Sequence, residues 1–144
     1  MALQLAEAAS LPKATAMIYN ALGRVALSLG EPDRAVLFAS RALRGNEETN
    51  HVEAQRADLS VLMSAWTERQ EMMPFMFTVA HAVVLAERCK APDRAALAGV
   101  LVELMPNEVE REQTKQTARE WMLEGFGEVE ERLRGVDVFE VVGG

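Results

Sequence analysis

The residue types that most often carry catalytic or metal chemistry are scarce in this chain of 144 residues, which has two histidines and one cysteine. No spacing of His, Cys, Asp or Glu around either histidine matches a metal site. His51 precedes a predicted helix and is expected to be exposed, whereas His81 lies in an apolar stretch typical of a core histidine. Cys89 has no neighbouring base to activate it, which favours a small buried residue. These residues predict neither a metal site nor catalysis.

Asn20 and Arg24 are the polar pair best placed to bind a partner, because residues four apart lie on one face of a helix. An amide and a guanidinium in this arrangement could hold a peptide backbone or a carboxylate. The alternative is that Asn20 satisfies a local polar need and Arg24 is a solvated surface residue. The sequence leaves both interpretations open.

Two apolar sets are candidates for contacts with other proteins. The first is a segment rich in methionine and phenylalanine, which is core by default and an adaptable binding surface as the alternative. It consists of Met72, Met73, Phe75, Met76 and Phe77. The second is one face of the last predicted helix, which either closes the helical stack or docks a partner. It consists of Trp121, Met122, Phe126, Val129 and Leu133.

Composition indicates an acidic helical protein that is expected in the cytoplasm. The net charge is −7 and Lys/Arg-rich blocks are absent, which disfavours binding to the phosphates of nucleic acids. A single cysteine excludes an intramolecular disulfide and fits a reducing compartment. The N-terminus does not match a signal peptide, and no apolar run is long enough to span a membrane. No phosphate-binding loop or nucleophile motif occurs, so the sequence predicts no enzyme activity and no cofactor.

Apolar periodicity predicts one short helix at 2–10 followed by six longer ones. The short helix has no pairing partner before it, which indicates either a cap or a fragment of a longer array. The six longer helices can pair as three antiparallel hairpins within one domain at 1–135, followed by a strand-like or disordered tail at 136–144. They are predicted at 13–29, 32–44, 51–70, 74–89, 93–104 and from 107 onward.

Local signals refine these predictions. The stretches 13–29 and 75–89 are apolar on most faces, which indicates helices buried between others. Capping boxes begin the helices at Asn50 and Asn107, each with a glutamate three residues later. Two glycines in the last helix, Gly125 and Gly127, predict a bend or break there.

The stretch 19–43 carries a more specific pattern: an aromatic residue, a Leu-Gly pair, a glycine turn and then spaced alanines. Over residues 17–44 the chain resembles a tetratricopeptide repeat, and the other hairpins lack that signature. The resemblance implies an all-α fold in which antiparallel helical hairpins stack into a short α-solenoid of about six to seven helices. The matching residues are Tyr19, Leu22, Gly23, Gly30, Ala35 and Ala42.

The same resemblance implies a non-enzymatic scaffold or adaptor that binds peptide segments of a partner protein in a groove lined by the inner helices. Carried over to this chain, the groove positions are Met17, Asn20, Arg24 and Ser28. The alternative function is a sensing or oligomerisation domain of a regulatory protein that responds to a peptide or small ligand. A homo-oligomer could form through an apolar end helix.

Overall fold

A computed structural model describes Leu3 and residues 12–139 of the chain. Residues 12–139 contain six long helices, a short helical turn at 138–139 and no strand. The predicted all-α fold of antiparallel hairpins is therefore confirmed. The predicted short helix at 2–10 lies outside the described residues apart from Leu3, which is helical and buried. The helices are α1 (Pro12–Ser28), α2 (Pro32–Glu48), α3 (Val52–Arg69), α4 (Met72–Arg88), α5 (Arg94–Leu104) and α6 (Glu108–Arg132).

Side-chain caps begin two of these helices, one of them at a different residue from that predicted. Asn107 caps α6 as expected, because its side chain accepts a hydrogen bond from the Glu110 N–H at 3.0 Å. At α3 the cap is His51, whose Nδ1 accepts from the Ala54 N–H at 3.0 Å. Asn50, the predicted cap, instead takes a left-handed backbone conformation with φ of 53°. Asparagine tolerates that conformation, so the turn uses it there.

Prolines mark the beginnings of the helices only approximately. Pro32 is the first residue of α2, as predicted. However, α4 begins at Met72, just before Pro74, and α5 begins at Arg94, just after Pro92. The first turn of a helix has N–H groups without partners inside the helix, so proline fits at several positions within or before that turn.

The last helix closes the stack by returning to earlier helices. α2 packs on α3, α3 on α4 and α4 on α6, and α6 also contacts α2. An ion pair joins α6 to α2, because the Arg119 guanidinium donates to both carboxylate oxygens of Glu47 at 2.6 and 2.7 Å. α6 runs antiparallel to α4, with Lys115 Nζ lying 3.1 Å from Glu87 Oε1. The ring of α2, α3, α4 and α6 is thus closed, and the regular solenoid order remains a prediction.

The third predicted hairpin pairs differently from the first two. α1 packs on α2 and α3 on α4, as expected, whereas α6 contacts α4 far more extensively than it contacts α5. α5 has only 11 residues and buries only Leu101. α5 therefore serves mainly to connect α4 to α6, which allows those two helices to pair.

α1 and α4 were both predicted to be central, and only α4 is. α4 contacts α3, α5 and α6. α1 buries Ala16 and Ala26 against its neighbours but leaves Met17, Val25 and Leu29 exposed. The prediction for α1 is wrong because no described helix covers its outer side, so apolar composition alone did not identify a central helix.

Trp66 on α3 lies at the centre of the core. Its ring is fully buried, and its indole N–H donates to Thr78 Oγ1 on α4 at 3.0 Å. The ring also stacks on Phe126 of α6, with 6.3 Å between ring centroids. A Cβ added at Gly125 would lie 3.1 Å from Trp66 Cη2, so α6 can approach this closely only with glycine there.

The last helix, where a bend or break was predicted, is not broken, and the predicted strand-like or disordered tail at 136–144 is described only for its first four residues. α6 continues through Gly125 and Gly127 to Arg132 without interruption. Val138 and Phe139 are helical, Val138 is buried, and the Phe139 ring lies 5.6 Å from that of Phe38. These side chains dock on the core, which outweighs their β-propensity. Residues 140–144 lie outside the described residues.

The two glycines of α6 give a matched test of this packing. Gly127 has no atom within 4 Å of an added Cβ. Gly127→Ala should therefore raise the free energy of unfolding by about 0.5 to 1 kcal/mol through helix propensity. Gly125→Ala should lower it by about 1 to 3 kcal/mol, because the buried Trp66 ring cannot move aside. Urea unfolding of both variants checks this, and an equal gain for the two would contradict the close contact with Trp66.

Candidate interaction surface

Asn20, predicted to bind a partner, has internal partners instead. Its Nδ2 donates to Asp58 Oδ1 at 2.7 Å, and Asn46 Nδ2 donates to Asp58 Oδ2 at 2.6 Å. Gln55 extends the network by donating to the Asn46 carbonyl oxygen at 3.2 Å. These bonds join α1, α2 and α3, so Asn20 serves the local polar need that was the alternative interpretation.

Asp58 is the most strongly perturbed acid among the described residues. Its side chain is fully buried, and burial raises its pKa from 3.8 to about 6, against the opposing effect of the hydrogen bonds from Asn46 and Asn20. The sequence did not identify it. A lone carboxylate on a polar helix cannot be distinguished there from a solvated one.

The other three predicted groove residues lie on the outer side of α1. Met17 is 71% exposed, and Arg24 and Ser28 are also exposed. Ser28 Oγ donates to the Arg24 carbonyl oxygen at 3.2 Å, which is a bond within the helix. A partner-binding role for these residues remains a prediction.

The two histidines and the cysteine lie in different environments within the described part of the chain. His51 is exposed and caps α3 as described above. Burial lowers the pKa of His81 to about 4, with the nearby Arg119 charge adding to the effect, and its buried Nε2 has no partner among the described residues. Cys89 is exposed, so its predicted burial is wrong. Within residues 12–139 no group of three His, Cys, Asp or Glu side chains could hold a metal ion.

The predicted interface on the last helix divides into a buried part and one exposed residue. Met122, Phe126 and Val129 are buried in the core, and Leu133 packs against it. These four close the helical stack. Trp121 is 47% exposed, and its ring stacks on Phe77 with 6.0 Å between centroids.

Trp121 borders a groove between the beginning of α4 and the middle of α6. We call it the Met73/Trp121 groove, and its volume is about 410 Å³. Its exposed apolar side chains are Met73, which is 55% exposed, and Trp121. Its lining residues are Met73, Pro74, Phe77, Trp121, Glu124, Gly125 and Glu128.

A second apolar depression flanks the other side of the beginning of α4. This Met72 cleft has a volume of about 350 Å³ and lies against the end of α3. Met72 at its edge is 61% exposed, whereas Phe75 is half-buried and packs against the core. The methionine-rich segment is therefore divided: its phenylalanines pack against the core, whereas Met72 and Met73 are exposed. A binding role for the two methionines remains a prediction.

Carboxylates border the Met73/Trp121 groove on one side. Glu124 and Glu128 are four residues apart on α6, so they share the face that also carries Trp121. Both are exposed, and neither forms an ion pair with another described residue. The groove thus combines an apolar floor with an uncompensated negative rim.

No protein-family model matches this chain, and searches of curated proteins and of solved structures return no significant match. The tetratricopeptide resemblance accordingly remains a prediction. Among the described helices, none has both the length and the apolar character that crossing a membrane requires.

The buried Asp58 predicts a specific pH dependence of stability. Its carboxyl is protonated more readily in the folded chain than in the unfolded chain. The stability that it contributes is therefore fully present below its ordinary pKa of 3.8 and is lost as the pH rises through about 6. Asp58→Asn should remove this dependence, because one neighbouring amide can turn to accept the new N–H.

The measurement is urea unfolding of both proteins between about pH 4 and about pH 7.5, where the wild type should lose on the order of 2 kcal/mol relative to Asp58→Asn. The exposed Glu48→Gln variant serves as the control and should follow the wild type. Parallel pH curves for the wild type and Asp58→Asn would refute the assignment.

Proposed function

We propose that this protein is a non-enzymatic, tetratricopeptide-like interaction module that binds a helical segment of a partner protein in the Met73/Trp121 groove. The observation that carries the proposal is the exposed Trp121 and Met73 beside a core that is already complete without them. An apolar patch of this kind, with polar residues around it, is typical of a surface that contacts another protein.

The chemistry of the side chains supports an interaction surface. Methionine is unbranched and polarisable, so Met72 and Met73 can adapt to a partner of varied shape. Trp121 is already oriented by its stack on Phe77, and little side-chain entropy would be lost when it is covered. Large aromatic residues in such positions commonly contribute much of the binding energy at protein interfaces.

The form of the groove favours a helical partner. It lies between the antiparallel α4 and α6, and its α6 residues run from Trp121 to Glu128, which corresponds to about two helical turns. A helix lying in such a groove inserts apolar side chains spaced three and four residues apart. The free rim carboxylates of Glu124 and Glu128 favour lysine or arginine beside those apolar positions.

The locations of the perturbed groups support binding rather than catalysis. Asp58 is fully buried within the hydrogen bonds of Asn20 and Asn46, and it lines neither the Met73/Trp121 groove nor the Met72 cleft. His81 likewise lines neither of them. The exposed thiol of Cys89 is stable in a reducing compartment, which supports a cytoplasmic location as part of the proposal.

Helical peptides with one apolar face test the proposal. Three peptides share that face and carry lysines, glutamines or glutamates beside it, and their binding is measured by calorimetry. The lysine peptide should bind at least about tenfold more tightly than the glutamate peptide, and higher salt should weaken it. Met73→Ser together with Trp121→Gln should reduce its affinity by about tenfold or more. The double substitution Glu124→Gln with Glu128→Gln should weaken the binding of the lysine peptide only.

Two control variants locate the binding surface. Met17→Ser with Leu29→Ser removes exposed apolar side chains from α1, and Glu48→Gln with Glu103→Gln removes two exposed charges elsewhere. Both should bind the lysine peptide as the wild type does. If the α1 variant alone loses binding, the site lies on α1 as the tetratricopeptide resemblance implies. The proposal is wrong if no peptide binds. It is also wrong if light scattering shows that a second copy of the chain associates through the groove.

A further inference from the structure

A third depression lies beside the C-terminal end of α6. It is formed by α2, the last turns of α6 and the segment 133–138, and its volume is about 410 Å³. That volume is within the range of sites for small ligands. None of its lining residues belongs to the groove or to the Met72 cleft.

Three arginines converge on this depression in a chain with a net charge of −7. Arg41 and Arg44 are three residues apart on α2 and share one face, and Arg134 follows the end of α6. Arg134 pairs with Glu131, whereas Arg41 and Arg44 form no ion pair or hydrogen bond with other described residues. The only acid among the lining residues is Glu130.

The two α2 arginines differ in how firmly they are held. The Arg41 guanidinium lies 5.6 Å from the centroid of the Tyr19 ring, so a cation–π contact orients it. Arg44 is exposed and free to follow a ligand. One arginine is therefore already positioned for an anion, and the second can close on it.

The floor of the depression is apolar. Val136 is 44% exposed and Leu133 is half-buried, and both lie over the buried Leu37 and Val138. An inorganic anion would use the arginines but leave this floor uncovered. A ligand with an aliphatic body and one anionic group would use both parts.

We propose that this depression binds a small aliphatic carboxylate, with Arg41 and Arg44 holding the carboxylate and Leu133 and Val136 contacting the aliphatic chain. Guanidinium groups match the planar carboxylate through paired N–H donors, which favours this anion. Glu130 lies on the same wall and opposes the ligand charge. The site is independent of the proposed peptide groove.

Octanoate is the probe, observed through the methyl NMR signals of Leu133 and Val136 in the full chain. We expect saturable shifts with a dissociation constant of about 1 mM. Arg44→Gln should weaken binding by about tenfold, and Glu130→Gln should tighten it by about threefold. Arg41→Gln should weaken octanoate binding as well. The melting temperature of this variant is also measured, because the substitution removes the cation–π contact with Tyr19.

Control ligands and variants separate the charge from the apolar contact. Octanol and octylamine lack the anion, and acetate and inorganic phosphate lack the aliphatic body, so each should bind at least about tenfold more weakly than octanoate. Lys13→Gln and Arg88→Gln remove exposed charges elsewhere and should leave octanoate binding unchanged. Equal binding of phosphate or octanol, no effect of Arg44→Gln, or no shift of these methyl signals would each overturn the inference.

Discussion

Trp66 lies fully buried where α3, α4 and α6 meet, and the position of the last helix depends on it. Its indole N–H donates to Thr78, so the large ring can be buried without leaving a polar group unpaired. α6 can cover the ring only because Gly125 has no side chain. This contact sets the approach of α6 to α3, and the bond from Trp66 to Thr78 ties α4 to the same ring, beside the stack of Trp121 on Phe77. The surface groove is in this sense a consequence of the core.

The sequence predicted the helices better than their arrangement. Periodicity and end signals gave all six long helices, because apolar spacing and proline act locally. The pairing of α6 with α4 instead of α5 depends on how Gly125 fits against Trp66, and no local rule contains that contact. From its sequence context alone, Gly125 was predicted to bend or break the helix. Helix propensity takes no account of a neighbouring ring that occupies the space where a side chain would lie.

The candidate sites likewise combine residues that the sequence identified with long-range contacts that it did not predict. Met73 and Trp121 were each singled out from the sequence, but as parts of separate sets that the antiparallel pairing of α4 and α6 brings together. For Asn20 the sequence left a partner-binding role and a local polar role open, because its hydrogen-bond partner, Asp58, is 38 positions away. Asp58 itself is one of 22 acidic residues, and burial alone distinguishes it from the solvated ones.

Stability and binding are assigned to different faces of α6. Its inner face places Met122, Phe126 and Val129 in the core, where truncation creates cavities and lowers the stability of the whole fold. Its outer face carries Glu124 and Glu128, which pair with no other described residue, so the fold gains little from them. Charge changes on that outer face can therefore alter the proposed recognition of a partner while the helix stays in place. This separation lets the electrostatics of the groove be varied independently of the packing around Trp66.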